Sequence, residues 1–346
     1  MKPIRALFVT YGVMPSSLGV PAMMGVAKRI VRLIAGLPAN AVQSYLLHFG
    51  AEPSDDPLWI RVAPAIRRYV PNHGLRRSLL RDFLRNLRLQ VIVLGEGPLG
   101  GIMRDVFETA LAERIPLVTV DNYYDSLQPA RLKNSWPGIA WWLLLGLPEK
   151  ARYGRISKTA FLAPPLLPRT RASGSAGSHV TVLGYDPQVA DAGLRLALRL
   201  PKGISLRVLS SEESFKAIRS PERFPSSQVS LERLPNDYLL SQWVGSSPFV
   251  VCKNGFQQIV ESLALGTPAV VLSAMGGVPE CLLSPFLRPF VCYFPERDQD
   301  WSRLLSTVSV WLSARPSMPW ETQLRDISNP IRYSADMLLT VLQHCV

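Results

Sequence analysis

The sequence predicts an α/β protein of two doubly wound domains facing a cleft, and three observations carry that expectation. Short apolar runs alternate with amphipathic helical patterns through both halves of the chain. The strand-like runs are almost continuously apolar and bounded by Gly or Pro, as parallel strands covered on both faces are. The alternation stops at Arg169–Ser178 (RTRASGSAGS), a small, polar stretch of linker composition, and then restarts.

Taken in order, the first strand is Ile4–Tyr11. Its apolar run is broken by Gly12 and Pro15, so it reads as a strand and not as a signal peptide. A helix follows over Met23–Leu37, a strand over Gln43–Phe49, a strand over Leu89–Gly95 (LQVIVLG), a helix near Gly101–Arg114 and a strand over Ile115–Val120. Thr159–Leu167 (TAFLAPPLL) is a further strand ending in prolines. Beyond the linker, strands are predicted at His179–Gly184, Ile204–Leu209, Phe249–Cys252, Ala269–Leu272 and Phe290–Phe294, and helices at Val189–Leu200, Tyr238–Val244, Phe256–Leu265 and Trp301–Ser313. A final helix, Ile331–Gln343, follows the Pro-containing stretch 314–330. The expected organisation is a first domain over 1–168, a linker over 169–178, a second domain over 179–330 and a C-terminal helix over 331–346. A chain of 346 residues suits two domains.

Composition narrows the class. With 47% hydrophobic and 18% charged residues, disordered, collagen-like and coiled-coil architectures are excluded. The four cysteines (Cys252, Cys281, Cys292, Cys345) show no CxxC spacing, so neither a zinc site nor a disulfide framework is expected, and a cytoplasmic location fits. The most apolar stretch, Gly138–Leu147 (GIAWWLLLGL), is far short of the ~20 residues a spanning helix needs.

The run Cys252–Glu280 (CKNGFQQIVESLALGTPAVVLSAMGGVPE) carries the most chemistry. It reads as strand, glycine turn, helix, second turn and strand. Gly255 allows close approach of a ligand, and a helix starting near Phe256 offers free amides and a positive dipole end to a diphosphate. Glu261, six residues beyond Gly255, suits two vicinal hydroxyls; its spacing equally fits a surface carboxylate on an ordinary helix.

This run resembles the donor-binding segment of GT-B glycosyltransferases, built from two Rossmann-like domains. It is most similar to the family that adds N-acetylglucosamine to the undecaprenyl-linked peptidoglycan precursor. The resemblance implies a nucleotide-sugar donor, expected to be UDP-linked, as co-substrate and no other cofactor. It implies that Glu261 holds the ribose hydroxyls and that the turn at Asn254, Gly255 and Phe256 holds diphosphate, with Lys253 where a basic residue often stands. Leu234 falls near the base, Glu280 near the donor sugar, and Gly184, closing the first strand of the second domain, joins the donor set. In the first domain Glu96-Gly97 and Asp121-Asn122 fall where acceptor contacts are placed, and Gly19 belongs to the acceptor-side first loop.

That loop, Gly12–Gly25 (GVMPSSLGVPAMMG), lacks the His proposed as base in the family. A base must lie within about 3 Å of the hydroxyl it activates, so Glu96 and Asp121 become the candidates; each also suits acceptor binding or helix capping. If neither serves, the chain is a substrate-assisted transferase or an inactive partner subunit of glycosyltransferase fold. A nucleotide-sugar epimerase of the same fold is disfavoured, because its acidic and histidine residues are not recognisable. No DxD-like metal motif stands at a suitable strand end, so no metal is expected.

The net charge of +12 is unevenly spread. Residues 1–170 hold 22 basic and 11 acidic side chains, and the remainder 16 and 15. Eight arginines fall in 61–88, among them Arg77, Arg81 and Arg85, beside a helical stripe of Leu79, Leu80, Phe83, Leu84 and Leu87. Two readings stand: a core helix with a solvated outer face, or a helix on anionic lipid that Trp141 and Trp142 also face. The second implies a lipid-linked or other anionic acceptor and peripheral contact with the inner face of the membrane. A soluble acceptor remains open, and nucleic acid is disfavoured because basic and aromatic residues do not interleave regularly.

Overall fold

The computed structural model describes residues 2–15, 21–23, 25–50, 67–69, 77–95, 101–123, 138–147, 152–167, 177–184, 187–209, 228–232, 237–253, 255–272, 286–294 and 301–346. The first domain contributes strands β1 (Ile4–Pro15), β2 (Pro21–Met23), β3 (Val42–Gly50), β4 (Arg67–Tyr69), β5 (Val91–Leu94), β6 (Leu117–Asn122), β7 (Ile139–Leu145), β8 (Gly154–Ser157) and β9 (Ala160–Ala163). Its helices are α1 (Gly25–Gly36), α2 (Arg77–Asn86) and α3 (Gly101–Ala112). The sheet order is β4-β3-β1-β5-β6-β7-β9-β8, parallel from β4 to β9, with β8 antiparallel on the edge and β2 antiparallel on β1.

The second domain repeats the plan. Strands β10 (His179–Val182), β11 (Ser205–Leu209), β12 (Val229–Glu232), β13 (Val250–Lys253), β14 (Ala269–Leu272) and β15 (Val291–Tyr293) form a parallel sheet in the order β12-β11-β10-β13-β14-β15. Helices α4 (Pro187–Ala197), α5 (Asp237–Ser246), α6 (Phe256–Ala264), α7 (Trp301–Ser313) and α8 (Glu321–Arg325) belong to it. Both sheets reverse strand order, between β1 and β5 and between β10 and β13. Ligands of open α/β sheets bind at such switch points, beyond the carboxyl ends of the strands.

Apolar strands form these sheets because both faces are covered. In the first, Phe8, Val93, Val120 and Leu143 pack on α1, while Leu7, Ile92 and Leu94 pack toward α2 and α3. The last helix, α9 (Pro330–Cys345), returns to the first sheet, where Leu338, Val341 and Leu342 join the α1 core. Its start is fixed by Asn329, whose side chain accepts the Arg332 N–H at 3.0 Å, and by Pro330 in the first turn. Close approach to α1 requires Gly36, since a Cβ there would stand 2.7 Å from the Ala335 Cβ.

Two expectations about the basic half change. Gly138–Leu147 is largely strand β7, held between β6 and β9. Trp142 is 4% exposed and clusters with Leu144, Ala160 and Leu162. Trp141, on the other face, packs against Phe161 and His344, with the Arg155 guanidinium over its ring. Trp142 is therefore buried within β7 and does not face a membrane, whereas Trp141 is only partly covered. On α2, Leu80, Leu84 and Leu87 are buried while Arg81 and Arg85 stand outside and share Glu113. Hydrogen bonds from Arg85 and Arg81 hold the Glu113 carboxyl below the usual carboxylate range. Most of the apolar stripe of α2 is therefore spent in the core, while Leu79 stays exposed. The side chain of Arg77 lies outside the described residues, and among the described residues no helix is long and apolar enough to cross a membrane.

Candidate functional site

A pocket of about 280 Å³, open mouth included, lies between the domains. Arg29, Asn122, Leu145, Pro165 and Leu166 line it from the first domain, and Gln257, Val260 and Glu261 from α6 of the second. Asn122 ends β6, and Asp121 beside it is buried, its Oδ1 accepting the Asn122 N–H at 2.7 Å.

Helix α1 brings two buried arginines to this edge. Arg29 and Arg32 are three residues apart and so share a helix face. Arg29 donates through Nη1 to the carbonyls of Gly95 (3.1 Å) and Val120 (3.2 Å), and through Nη2 to Asn122 Oδ1 (2.8 Å). Arg32 donates through Nη1 to the Leu166 carbonyl (2.7 Å) and to Glu261 Oε1 (2.8 Å). Buried guanidiniums require such acceptors, and carbonyls at and beyond the carboxyl ends of the strands supply them.

On the opposite wall, β13 ends at Lys253, which is half-buried, and Gly255 is the N-cap of α6. Among the described residues no side chain caps the helix; Gly255 N–H bonds back to the Lys253 carbonyl and the Gly255 carbonyl accepts Ile259 N–H. The first amides of α6 therefore have no intrahelical acceptor. Gly255 has φ −107° and ψ 119°, a conformation open to any residue, and a Cβ there would meet nothing nearer than Gln258 Oε1 at 3.7 Å. The protein itself makes no demand for glycine at this position. Gly184 differs: a Cβ would come within 3.0 Å of Ala190 and 3.1 Å of Val208, so its bareness serves the packing of α4 on the sheet.

Glu261 lies one and a half turns into α6, with its carboxylate 24% exposed. Gln257 Nε2, one turn earlier, donates to the same Oε1 at 2.9 Å. Beneath the turn, burial pushes the Cys252 thiol up to about 12, so it behaves as packing and not as a nucleophile.

The structure thus brings together Asn122 and Glu261 of the residues predicted from sequence, with Asp121 behind Asn122 and Lys253 and Gly255 at the head of α6. Gly19, Glu96, Gly97, Leu234, Asn254 and Glu280 lie outside the described residues, as does the side chain of Phe256. Arg29, Arg32 and Gln257 were not predicted. Their signal was present, as two arginines on one face of a largely apolar helix that also carries Lys28, and a Gln four residues before Glu261. Among the described residues no three His, Cys, Asp or Glu side chains are grouped to hold a metal.

No family model matches the chain, and no curated protein matches its sequence. Solved structures do match, over nearly the whole chain. The glycotransferase of kitacinnamycin aligns with a TM-score of 0.60 at 14% identity, covering 99% of this chain and 100% of that one. MurG of Acinetobacter baumannii aligns at 0.58 and 12% identity, over 98% and 99%. This chain has the GT-B fold. UDP-GlcNAc 2-epimerase of Neisseria meningitidis, solved with UDP-GlcNAc, aligns at 0.56 and 15% identity over 99% and 100%, so the GT-B fold here is shared with enzymes of two reaction classes. In GT-B terms, the pocket between Asn122 and Glu261 is the interdomain cleft.

Proposed function

We propose that the protein is a glycosyltransferase that moves a sugar from a nucleoside-diphosphate donor, with UDP as the expected carrier, to an acceptor held by the first domain. The observation that carries this reading is Glu261, six residues beyond the side-chain-uncapped N-terminus of α6 and facing the first domain's Asn122 across the cleft. The helix amides and Lys253 meet the diphosphate, so the reading needs no metal. Glu261 accepts the ribose hydroxyls, and Asn122 contacts the acceptor. Glu96 or Asp121 takes the acceptor proton. The excess positive charge of residues 1–170 and the exposed Arg81 and Arg85 favour an anionic acceptor, of which a lipid-linked one is the class proposed.

Thermal unfolding with added nucleotides tests the reading. UDP at a hundredfold excess over its Kd is expected to stabilise the protein by about 2.7 kcal/mol; no stabilisation by any nucleotide would overturn it. In a UDP-release assay with acceptor, the base is whichever of Glu96→Gln and Asp121→Asn loses turnover while keeping the UDP shift. Full turnover in both removes both from the role. The missing first-loop His favours a second reading, an inactive relative, which predicts the UDP shift without any release.

Gly255→Ala isolates the diphosphate contact. The methyl meets only ordinary contacts, so stability is expected to hold within about 0.5 kcal/mol. UDP affinity is expected to fall about tenfold, because the methyl stands where the diphosphate approaches. Unchanged affinity by calorimetry would move the diphosphate away from this turn.

A further inference from the structure

The bond between Arg32 and Glu261 crosses the cleft. One partner sits on α1 of the first domain and the other on α6 of the second, 229 positions apart in the chain. Arg32 is buried, and its Nη1 is fixed at the same time on the carbonyl of Leu166. Leu166 lies three residues beyond β9, where the chain leaves the first sheet. The guanidinium is thus anchored on the passage between the domains. Gln257, from within α6, donates to the same oxygen of Glu261 that Arg32 holds.

Both donors therefore load Oε1, and Oε2 takes no hydrogen bond from the described residues. A carboxylate held by two donors on one oxygen has little rotational freedom left. Glu261 lines the pocket, so its second oxygen is available to a ligand there. A preorganised acceptor binds more tightly than a mobile one, because the ordering cost is met before the ligand arrives. A charged donor from the far domain is an unusual source of that order, since an ordinary donor helix needs no help from outside its own domain.

We propose that Arg32 is a positioning residue for ribose recognition: it aims Glu261 at the vicinal diol of the nucleotide from across the domain interface. This rests on the reading of Glu261 as the ribose acceptor. The donor site is then complete only when the two domains stand as they do here. A residue of the acceptor domain that touches no part of the nucleotide sets nucleotide affinity.

The test compares UDP with 2′,3′-dideoxy-UDP, which lacks the diol, by calorimetry on the full chain. The parent is expected to prefer UDP by ten- to a hundredfold, the range of one charge-assisted hydrogen bond. Arg32→Met should lose most of that preference by weakening UDP alone, and Arg32→Lys should restore part of it. Gln257→Leu, which leaves Arg32 and Leu166 in place, should reduce the preference severalfold, and it carries the test if Arg32→Met does not fold by circular dichroism. Equal weakening of both ligands in the variants, or an unchanged preference, would overturn the role of Arg32 alone. A parent that binds both ligands equally overturns the ribose assignment of Glu261, and one that binds neither overturns the donor reading itself; the proposal falls with each.

Discussion

Glu261→Ala is expected to bind UDP roughly ten- to a hundredfold more weakly and to unfold about 3 °C below the parent. Two separate contributions lead there. On the ligand side, hydrogen bonds from sugar hydroxyls to a carboxylate are charge-assisted and worth about 1.5–3 kcal/mol, a loss of roughly ten- to a hundredfold in affinity. On the protein side, the substitution removes the ion pair that Glu261 makes with the buried Arg32 guanidinium. Removing one partner of a fully buried pair costs about 3–5 kcal/mol. The Glu261 carboxylate is a quarter exposed, so water offsets part of this and about 2 kcal/mol is the fitting scale. For a chain of this size that is a fall in Tm of about 3 °C.

Glu261→Gln separates the two contributions. Its amide oxygen still accepts from Arg32 and Gln257, so stability should recover most of the loss while the charge-assisted contact to the diol does not return. Differential scanning fluorimetry gives the first quantity and calorimetry with UDP the second. Full UDP affinity in Glu261→Ala would show that the carboxylate serves the domain interface alone.

How far such a site can be read from sequence depends on the range of the interactions that build it. The strand runs around Val91–Leu94, Val250–Lys253 and Ala269–Leu272 were legible because burial on both faces forces continuous apolar residues, and Gly or Pro marks their ends. The turn and helix that carry Glu261 were legible for the same local reason. Edge strands β4 (RRY) and β12 (VSLE) were not, since an edge carries no continuous apolar run. The run IAWWLLL announced an apolar face but not what covers it. One part of that cover, α9, arrives nearly two hundred residues later. Arg29 and Arg32 are the sharpest case. Their positions on α1 signal buried cations, yet their acceptors lie 66 to 229 residues away, and no local pattern names them.

The second large effect falls at the other end of the same helix. Trp320 is fully buried and sits edge-on to Phe286 and Phe290, with ring centroids 5.1 and 5.3 Å away. Its Nε1–H donates at 2.9 Å to the carbonyl of Leu263 in the last turn of α6, which also accepts the Gly266 N–H at 2.9 Å. Arg315 collects neighbouring ones, donating to the carbonyls of Leu265 and Gly266 at 2.7 Å each and of Gly245 at 2.8 Å. Trp320→Ala is therefore expected to cost about 3–5 kcal/mol, the range for deleting a buried indole, read as a lower urea midpoint. Trp320→Phe keeps most of the packing and loses only the indole's bond to the Leu263 carbonyl, which keeps the Gly266 N–H, and should cost about 0.5–1.5 kcal/mol. Less than about 1 kcal/mol for the alanine variant would contradict the packing of Trp320 under α6. The functional consequence follows from rigidity. On the proposed reading, α6 receives a diphosphate at its N-terminus and aims a carboxylate from its second turn, and so must be fixed at its far end. Trp320→Ala should accordingly weaken UDP binding although the indole lies beyond the cleft, whereas Trp320→Phe, which leaves α6 packed, should weaken it far less.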